Sequence, residues 1–272
     1  KVQQILEEKG LANSRFPNWY KSLAEAVYHE GYGFAGFAGW MDDEGAFKES
    51  TSCEIQGERI FYDVDGVLQL QEQTISRERY NKLRNTLLNA DPKKVKSEAY
   101  HEIYSLDGKR ITIYHDAELA KIGQPAIVFR RYLSNVSSFE AQAAKHTIPA
   151  ETIPLFKNMI KCGYNVAFTG PVKSAKTTFL TVWQRYEDPQ MEGLQIETDP
   201  EIPLHLIMPE APIMQLIPTG SYMKQIMTTA KRSDAAYVIL GEARDGEMMH
   251  IAVETANMGT RRSKVTLHTT ET

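Results

Sequence analysis

The sequence predicts an α/β chain in two parts: an N-terminal α+β domain with β-hairpins, then a domain built on a mostly parallel sheet. Two Asp-Gly pairs, Asp65-Gly66 and Asp107-Gly108, join runs of alternating apolar residues, and glycine's tolerance of positive φ suits the two-residue type I′ hairpin turn. Beyond residue 150, apolar strand-like runs alternate with helical patterns, the signature of parallel strands covered by helices. The pattern changes at Arg130-Arg131, which sets an N-terminal domain over 1–133, a linker over 134–149 and a second domain over 150–272.

In chain order, Phe16 to Tyr28 reads as polar and aromatic helix and the glycine-rich stretch Gly31 to Gly36 as a loop. Arg59 to Val64 and Val67 to Gln71 flank the first hairpin turn; Ile103 to Leu106 and Arg110 to Tyr114 flank the second. Between them Tyr80, Leu83, Leu87 and Leu88 recur at helical spacing. Ser137 and Glu140 are spaced as a capping box opening a helix at Phe139. Ile153, Phe156, Met159 and Ile160 make one apolar helical face, which Gly163 should end as a C-terminal cap. Strands are expected over Asn165 to Phe168, Ala235 to Leu240 and Lys264 to His268. Met248, Ile251, Ala252 and Thr255 read as core filling on a helix.

Composition narrows the classes. With 42% hydrophobic and 24% charged residues the chain is an ordinary globular sequence. No apolar run reaches the roughly 18 residues that cross a bilayer, and the start lacks a signal-peptide core, so a soluble chain is expected. It opens at Lys1 rather than Met, so residues before it are expected. Cys53 and Cys162 have no partners at metal-ligand spacing and suit a reducing compartment as buried free thiols. A net charge of −4 and a pI near 6.0 make nucleic acid an improbable direct ligand.

Gly170-Pro171-Val172-Lys173-Ser174-Ala175-Lys176-Thr177-Thr178 matches the phosphate-binding loop G-x-x-x-x-G-K-[ST] except that Ala175 replaces the second glycine. In such a loop backbone N–H groups face the phosphates, Lys176 supplies a point charge to the β/γ oxygens, and the Thr177 hydroxyl binds Mg²⁺. The strand before it and the helix after it are the context the motif requires; a chance strand-to-helix turn is the alternative. If residue 175 needs positive φ, the alanine Cβ costs roughly 1–2 kcal/mol.

Glu242 emerges where the apolar run Ala235 to Leu240 ends, at the strand edge where open α/β sheets bind ligands. Beside a phosphate loop it can hold Mg²⁺ through water or orient the attacking water. Arg244 can anchor that acid or a neighbouring subunit, or form a surface ion pair. Glu197, Asp199 and Glu201 follow another expected strand; one can act as a base for water, or the three form an acidic turn. His268 ends a short strand and can sense the γ-phosphate or be structural.

Taken together, Gly170 to Thr178, Glu197 with Glu201, Ile239 to Arg244 and Gly259 to His268 resemble the secretion ATPase superfamily of type II secretion, type IV secretion and type IV pili. That family carries a phosphate loop, an acidic box, a G-E-x-R segment and a histidine box in this order. The hairpins and Ile127 to Arg131 also resemble its N-terminal domain. The resemblance implies a RecA-like P-loop NTPase domain with ATP and Mg²⁺ as cofactors and Thr177 and Glu242 as metal contacts. Glu242, Glu197 and His268 are then catalytic, and Arg110, Arg130 and Arg131 neutralise phosphate charge or form structural ion pairs. It further implies a hexameric ring on an inner-membrane platform protein, in the cytoplasm at the membrane's inner face, driving secretion, conjugation or pilus assembly. The family continues into further helices after its histidine box, so a C-terminal truncation is expected. A nucleotide-binding switch with impaired hydrolysis and a DNA-translocating ATPase are the alternative functions.

Overall fold

The structure is a computed structural model describing residues 1–42, 45–90, 98–105, 107–115, 119–131, 138–171, 174–218, 222–230, 232–243, 246–257 and 261–269. Two units, Lys1–Leu133 and Ser134–Thr272, each make their own contacts.

The first unit is built on a six-stranded antiparallel sheet in the order β3-β2-β1-β6-β5-β4. Its strands are β1 (Ser52–Gln56), β2 (Arg59–Val64), β3 (Val67–Thr74), β4 (Tyr100–Tyr104), β5 (Lys109–Tyr114) and β6 (Ala126–Arg131). Asp65 and Gly66 both take positive φ, 52° and 82°, as a type I′ turn demands. Alternate residues Cys53, Ile55, Ile60, Tyr62, Ile111, Ile113, Ile127 and Phe129 line one face and are buried, as the two-residue strand period requires. Helix α4 (Arg77–Ala90) covers them with Tyr80, Leu83 and Leu88.

Before the sheet come α1 (Val2–Glu8), α2 (Leu23–Gly31) and α3 (Ala38–Met41). The stretch Gly31 to Gly36 is therefore not a loop throughout: α2 runs to Gly31, and a 3-10 turn occupies Ala35–Phe37. Gly36 serves close approach instead, since a Cβ there would stand 2.8 Å from the Thr74 carbonyl oxygen.

The second unit holds a five-stranded parallel sheet, β7-β11-β10-β8-β9. The strands are β7 (Val166–Gly170), β8 (Gly193–Ile196), β9 (Ile213–Leu216), β10 (Tyr237–Ala243) and β11 (Lys264–His268). Helices α5 (Phe139–Ala144), α6 (Ile153–Cys162), α7 (Lys176–Gln184), α8 (Leu204–Ile207), α9 (Tyr222–Ala230) and α10 (Gly246–Asn257) alternate with them. Tyr237 and Ile239 belong to one apolar cluster with Phe139, Phe168, Leu180 and Trp183. Val238 and Leu240 belong to another with Leu194, Met248 and Ile251. Successive strand side chains point to opposite faces, so this sheet is buried on both, which explains its continuous apolar runs.

Three expectations change in detail. The N-cap of α5 is Ser138, whose Oγ accepts the Ala141 N–H at 3.2 Å; Ser137 lies outside the described residues. Glu140, the second residue of that helix, bonds Lys157 Nζ at 2.8 Å and the Tyr186 hydroxyl at 2.9 Å as well as the Ser138 side chain. Both cysteines are free and Cys53 is buried, but Cys162 is exposed because α6 buries only Ile160 among its residues. Gly163 does cap that helix, at φ 74°.

One buried ion cluster ties the second unit together. Glu187 accepts from Lys264 Nζ at 2.8 Å and from Arg262 Nη1 at 2.6 Å, while Arg262 also donates to the Ile160 and Lys161 carbonyls at the end of α6. Lys264 is 1% exposed; burial pushes its ammonium down to about 8 against the pull of Glu187. Removing one partner of a buried pair strands the other charge. Glu187→Gln should therefore cost about 3–5 kcal/mol in urea unfolding, with part of the loss recovered when Lys264→Met is added.

Candidate functional site

Parallel pairing puts the carboxyl ends of the strands on one edge. Gly170 at the end of β7 stands opposite His268 on β11, Leu267 opposite Ala243 on β10, and Leu240 opposite Ile196 on β8. Gly170, Glu242, Glu197 and His268 thus converge on that edge although nearly a hundred positions separate the first from the last.

The chain leaves β7 through Gly170, where a Cβ would stand 2.7 Å from Ser174 Oγ, and enters α7 at Lys176. Ala175 precedes α7 in the left-handed region, φ 62° and ψ 26°, so the position where the motif has glycine does need positive φ. Pro171, Ser174 and Ala175 are exposed on the loop and Thr178 is exposed on α7. Val172 and Lys173 lie outside the described residues, as does Arg244.

Lys176 is 8% exposed, and its Nζ donates to the Pro171 carbonyl at 2.8 Å and approaches His268 Nδ1 at 3.3 Å. An ammonium only donates, so His268 accepts at Nδ1. His268 Nε2 in turn meets the carboxylate of Glu242. Lys176 at the start of α7, His268 on β11 and Glu242 on β10 therefore form one line.

The second acid group is divided in its work. Glu197 is 3% exposed, and its Oε1 accepts the backbone N–H groups of Glu201 at 3.1 Å and Ile202 at 3.2 Å. Its Oε2 accepts the side-chain amide of Gln195. Its methylenes lie over Gly241, where any Cβ would overlap them; this is the structural reason for glycine before Glu242. Burial pushes the Glu197 carboxyl up to about 8, with those backbone donors opposing. Glu201 is the acid that faces the loop: Thr177 Oγ1 donates to its Oε2 at 3.2 Å. Sequence reasoning named Glu201 only beside Glu197 and missed Gln195. The available signal was a polar residue in a strand otherwise apolar at every position.

The three arginines belong to the first unit. Arg110 pairs with Glu102 on the neighbouring strand. Arg130 is exposed on β6. Arg131 points inward, donating to the carbonyls of Ser50 at 2.8 Å, Trp40 at 3.0 Å and Phe47, with its guanidinium 4.4 Å from the Trp40 ring centre. Arg131 therefore anchors the loop before β1, a use that pairing of charges in sequence does not reveal.

Two outcomes follow for stability. Ala175→Gly should relieve the left-handed strain and stabilise the chain by about 0.5–1 kcal/mol after the glycine's extra unfolded entropy is subtracted, read from chemical unfolding, whereas Ala175→Val should destabilise it. Glu197 has a folded value near 8 against 4.5 for the free group, so the folded chain holds a proton that the unfolded chain releases. Stability from this group is full below pH ~4.5 and lost progressively as pH rises to ~8. Unfolding curves across that range should flatten in Glu197→Gln.

The X-ray structure of the Legionella pneumophila ATPase DotB is similar, with a TM-score of 0.56 and 20% identity over 82% of this chain and 63% of that one. The crystal structure of the pilus retraction motor PilT with bound ADP is similar at a TM-score of 0.58 and 14% identity, over 81% of this chain and 63% of that one. The Yersinia pseudotuberculosis ATPase DotB gives 0.56 and 17% over 96% of this chain and 69% of that one. This chain spans less than two thirds of the Legionella DotB and PilT chains. At these identities the likeness is one of fold: a sheet domain followed by a RecA-like α/β domain. A comparison with curated proteins finds no match. The model of the family described as Type II/IV secretion system protein matches residues 108–272, more than half of the sequence, and the chain belongs to that family.

Proposed function

We propose that the chain is an ATP-hydrolysing motor subunit of a secretion, conjugation or type IV pilus assembly system. The observation that carries this reading is the line Lys176–His268–Glu242 on the sheet edge, beside a loop whose threonine meets an acid. The residues fit a nucleotide triphosphate with magnesium. Gly170 leaves the cradle that a Cβ would fill, and α7 directs its first backbone N–H groups at the loop. Among the described residues no group of three or more His, Cys, Asp and Glu could hold a metal alone, so Thr177 would hold magnesium together with phosphate oxygens. The ion would neutralise charge on the phosphates.

Lys176 rests on a backbone carbonyl and an imidazole nitrogen. A phosphate oxygen is the stronger partner for an ammonium, so Lys176 turns from His268 to the phosphates on binding. His268 keeps Glu242 oriented, and Glu242 or an acid of the 197–201 turn positions the attacking water. Arg110, Arg130 and Arg244 stay charge-neutralising candidates on the family resemblance alone. In this reading the subunits form a hexameric ring on an inner-membrane platform protein, in the cytoplasm at the membrane's inner face. No helix among the described residues is long and apolar enough to cross a membrane. The domain boundaries proposed are 1–133, 134–149 and 150–272.

A second reading, a nucleotide-binding switch that hydrolyses poorly, is favoured by Ala175 at φ 62°, because strain in the loop resists closure on phosphate. Phosphate release from Mg²⁺-ATP separates the two. Turnover in this chain that falls on the order of 100-fold in Lys176→Ala supports the motor. Turnover only in Ala175→Gly, with nucleotide bound by both, supports the switch, and no turnover in either sinks the motor.

A further inference from the structure

A chain of side-chain amides runs from α8 to the acidic turn and has no part in the chemistry above. The backbone N–H of His205 donates to Gln215 Oε1 at 3.1 Å, and His205 Nδ1 meets the same oxygen at 2.9 Å. Gln215 Nε2 donates to Gln195 Oε1 at 2.6 Å and to the Ile202 carbonyl at 3.2 Å. Gln195 Nε2 donates to the same carbonyl at 2.8 Å and to Glu197 Oε2. Gln195 is 1% exposed, while Gln215 lies on β9 at the sheet's end and is half-buried.

The polarity of this chain is fixed at one end. A backbone N–H can only donate, so the Gln215 atom facing it is oxygen and its other terminus is NH₂. That NH₂ makes the facing Gln195 atom oxygen, and Gln195 must then donate to Glu197. Glu197 consequently receives three N–H donors, one from Gln195 and two from the backbone of the turn it closes. That turn carries Glu201 to Thr177.

We propose that Gln215 and Gln195 are positioning residues for hydrolysis: their amide chain locks the 197–202 turn and thereby holds Glu201 against Thr177. The proposal rests on the motor reading for its catalytic consequence, but the locking of the turn is independent of it. A turn held by directional bonds on both sides loses its placement when one amide is removed, and misplacement of a catalytic group costs rate rather than affinity. Lys176 and the phosphate loop are not part of the amide chain, so nucleotide binding should be spared.

The test uses the full chain in five forms: parent, Gln215→Leu, Gln215→Glu, His205→Ala and, as a control for turnover, Ala175→Gly. Gln215 is chosen because its place on the end strand spares the core, and Gln215→Glu keeps the shape while replacing the donor with an acceptor. Phosphate release should show kcat lowered about tenfold in both Gln215 variants, with KM and the affinity for a fluorescent ATP analogue within about twofold. His205→Ala should stay near parent, since the backbone N–H still sets the polarity. Amide hydrogen exchange at Glu201 and Ile202 should quicken in both Gln215 variants and not in His205→Ala. Unchanged kcat with unchanged exchange overturns the proposal, as does a parallel fall in kcat and affinity. If neither the parent nor its Ala175→Gly form releases phosphate, the motor reading fails by itself; exchange then decides the locking, which quickened amides uphold and unchanged amides overturn.

Discussion

The site depends on the parallel register of β7, β11, β10 and β8. Residues at the carboxyl ends of parallel strands meet whatever their separation in sequence, and here β11 lies between the strand that feeds the phosphate loop and the strand that carries Glu242. His268 can bridge Lys176 and Glu242 because its strand is the one between them. A different strand order would leave the same motifs unable to touch. The two apolar clusters on the sheet's faces, and the Glu187–Arg262–Lys264 cluster that fixes the start of β11 to α6, hold that register in place.

The fold was legible where one physical cause dominated. The Asp65-Gly66 turn needs positive φ twice, and the sequence supplies the residues that adopt it. Lys264 to His268 reads as a strand and forms one with the expected limits. Tyr80, Leu83 and Leu88 at helical spacing became the helix face over the first sheet. Reading failed where tertiary contact overrode a local signal. Gly31 to Gly36 looks like a loop, yet Gly33 and Gly36 serve close packing, against His29 and the Thr74 carbonyl. Ser138 caps α5, and Glu140 bonds Lys157 and Tyr186, partners that local spacing does not reveal.

The candidate site shows the same division. The loop, Glu242 and His268 could be found because each ends a strand. The separate tasks of Glu197 and Glu201 could not, since both are acids in one short turn. Only the depth of Gly241, which makes room for the Glu197 methylenes, and the reach of Thr177 tell them apart. Arg131 was equally hidden, because its partners are backbone carbonyls, which leave no mark in a charge pattern.

Among the described residues of the second unit, Glu187 and Glu197 are buried, and their surroundings treat them oppositely. Glu187 faces two cations, and the strain of burial appears on Lys264, whose ammonium is pushed down. Glu197 faces only neutral N–H donors, so burial raises its own carboxyl and Glu201 nearby raises it further. The difference suits their places. Glu187 lies beside the start of β11, where its two cationic partners tie that strand to the end of α6. Glu197 sits at the carboxyl-terminal edge, where its side chain lies against Gly241 and closes the turn that carries Glu201. Burial without a cation raises the Glu197 carboxyl, yet both of its oxygens accept N–H groups, so it shapes the turn through hydrogen bonds and leaves the cations of the phosphate loop for their ligand.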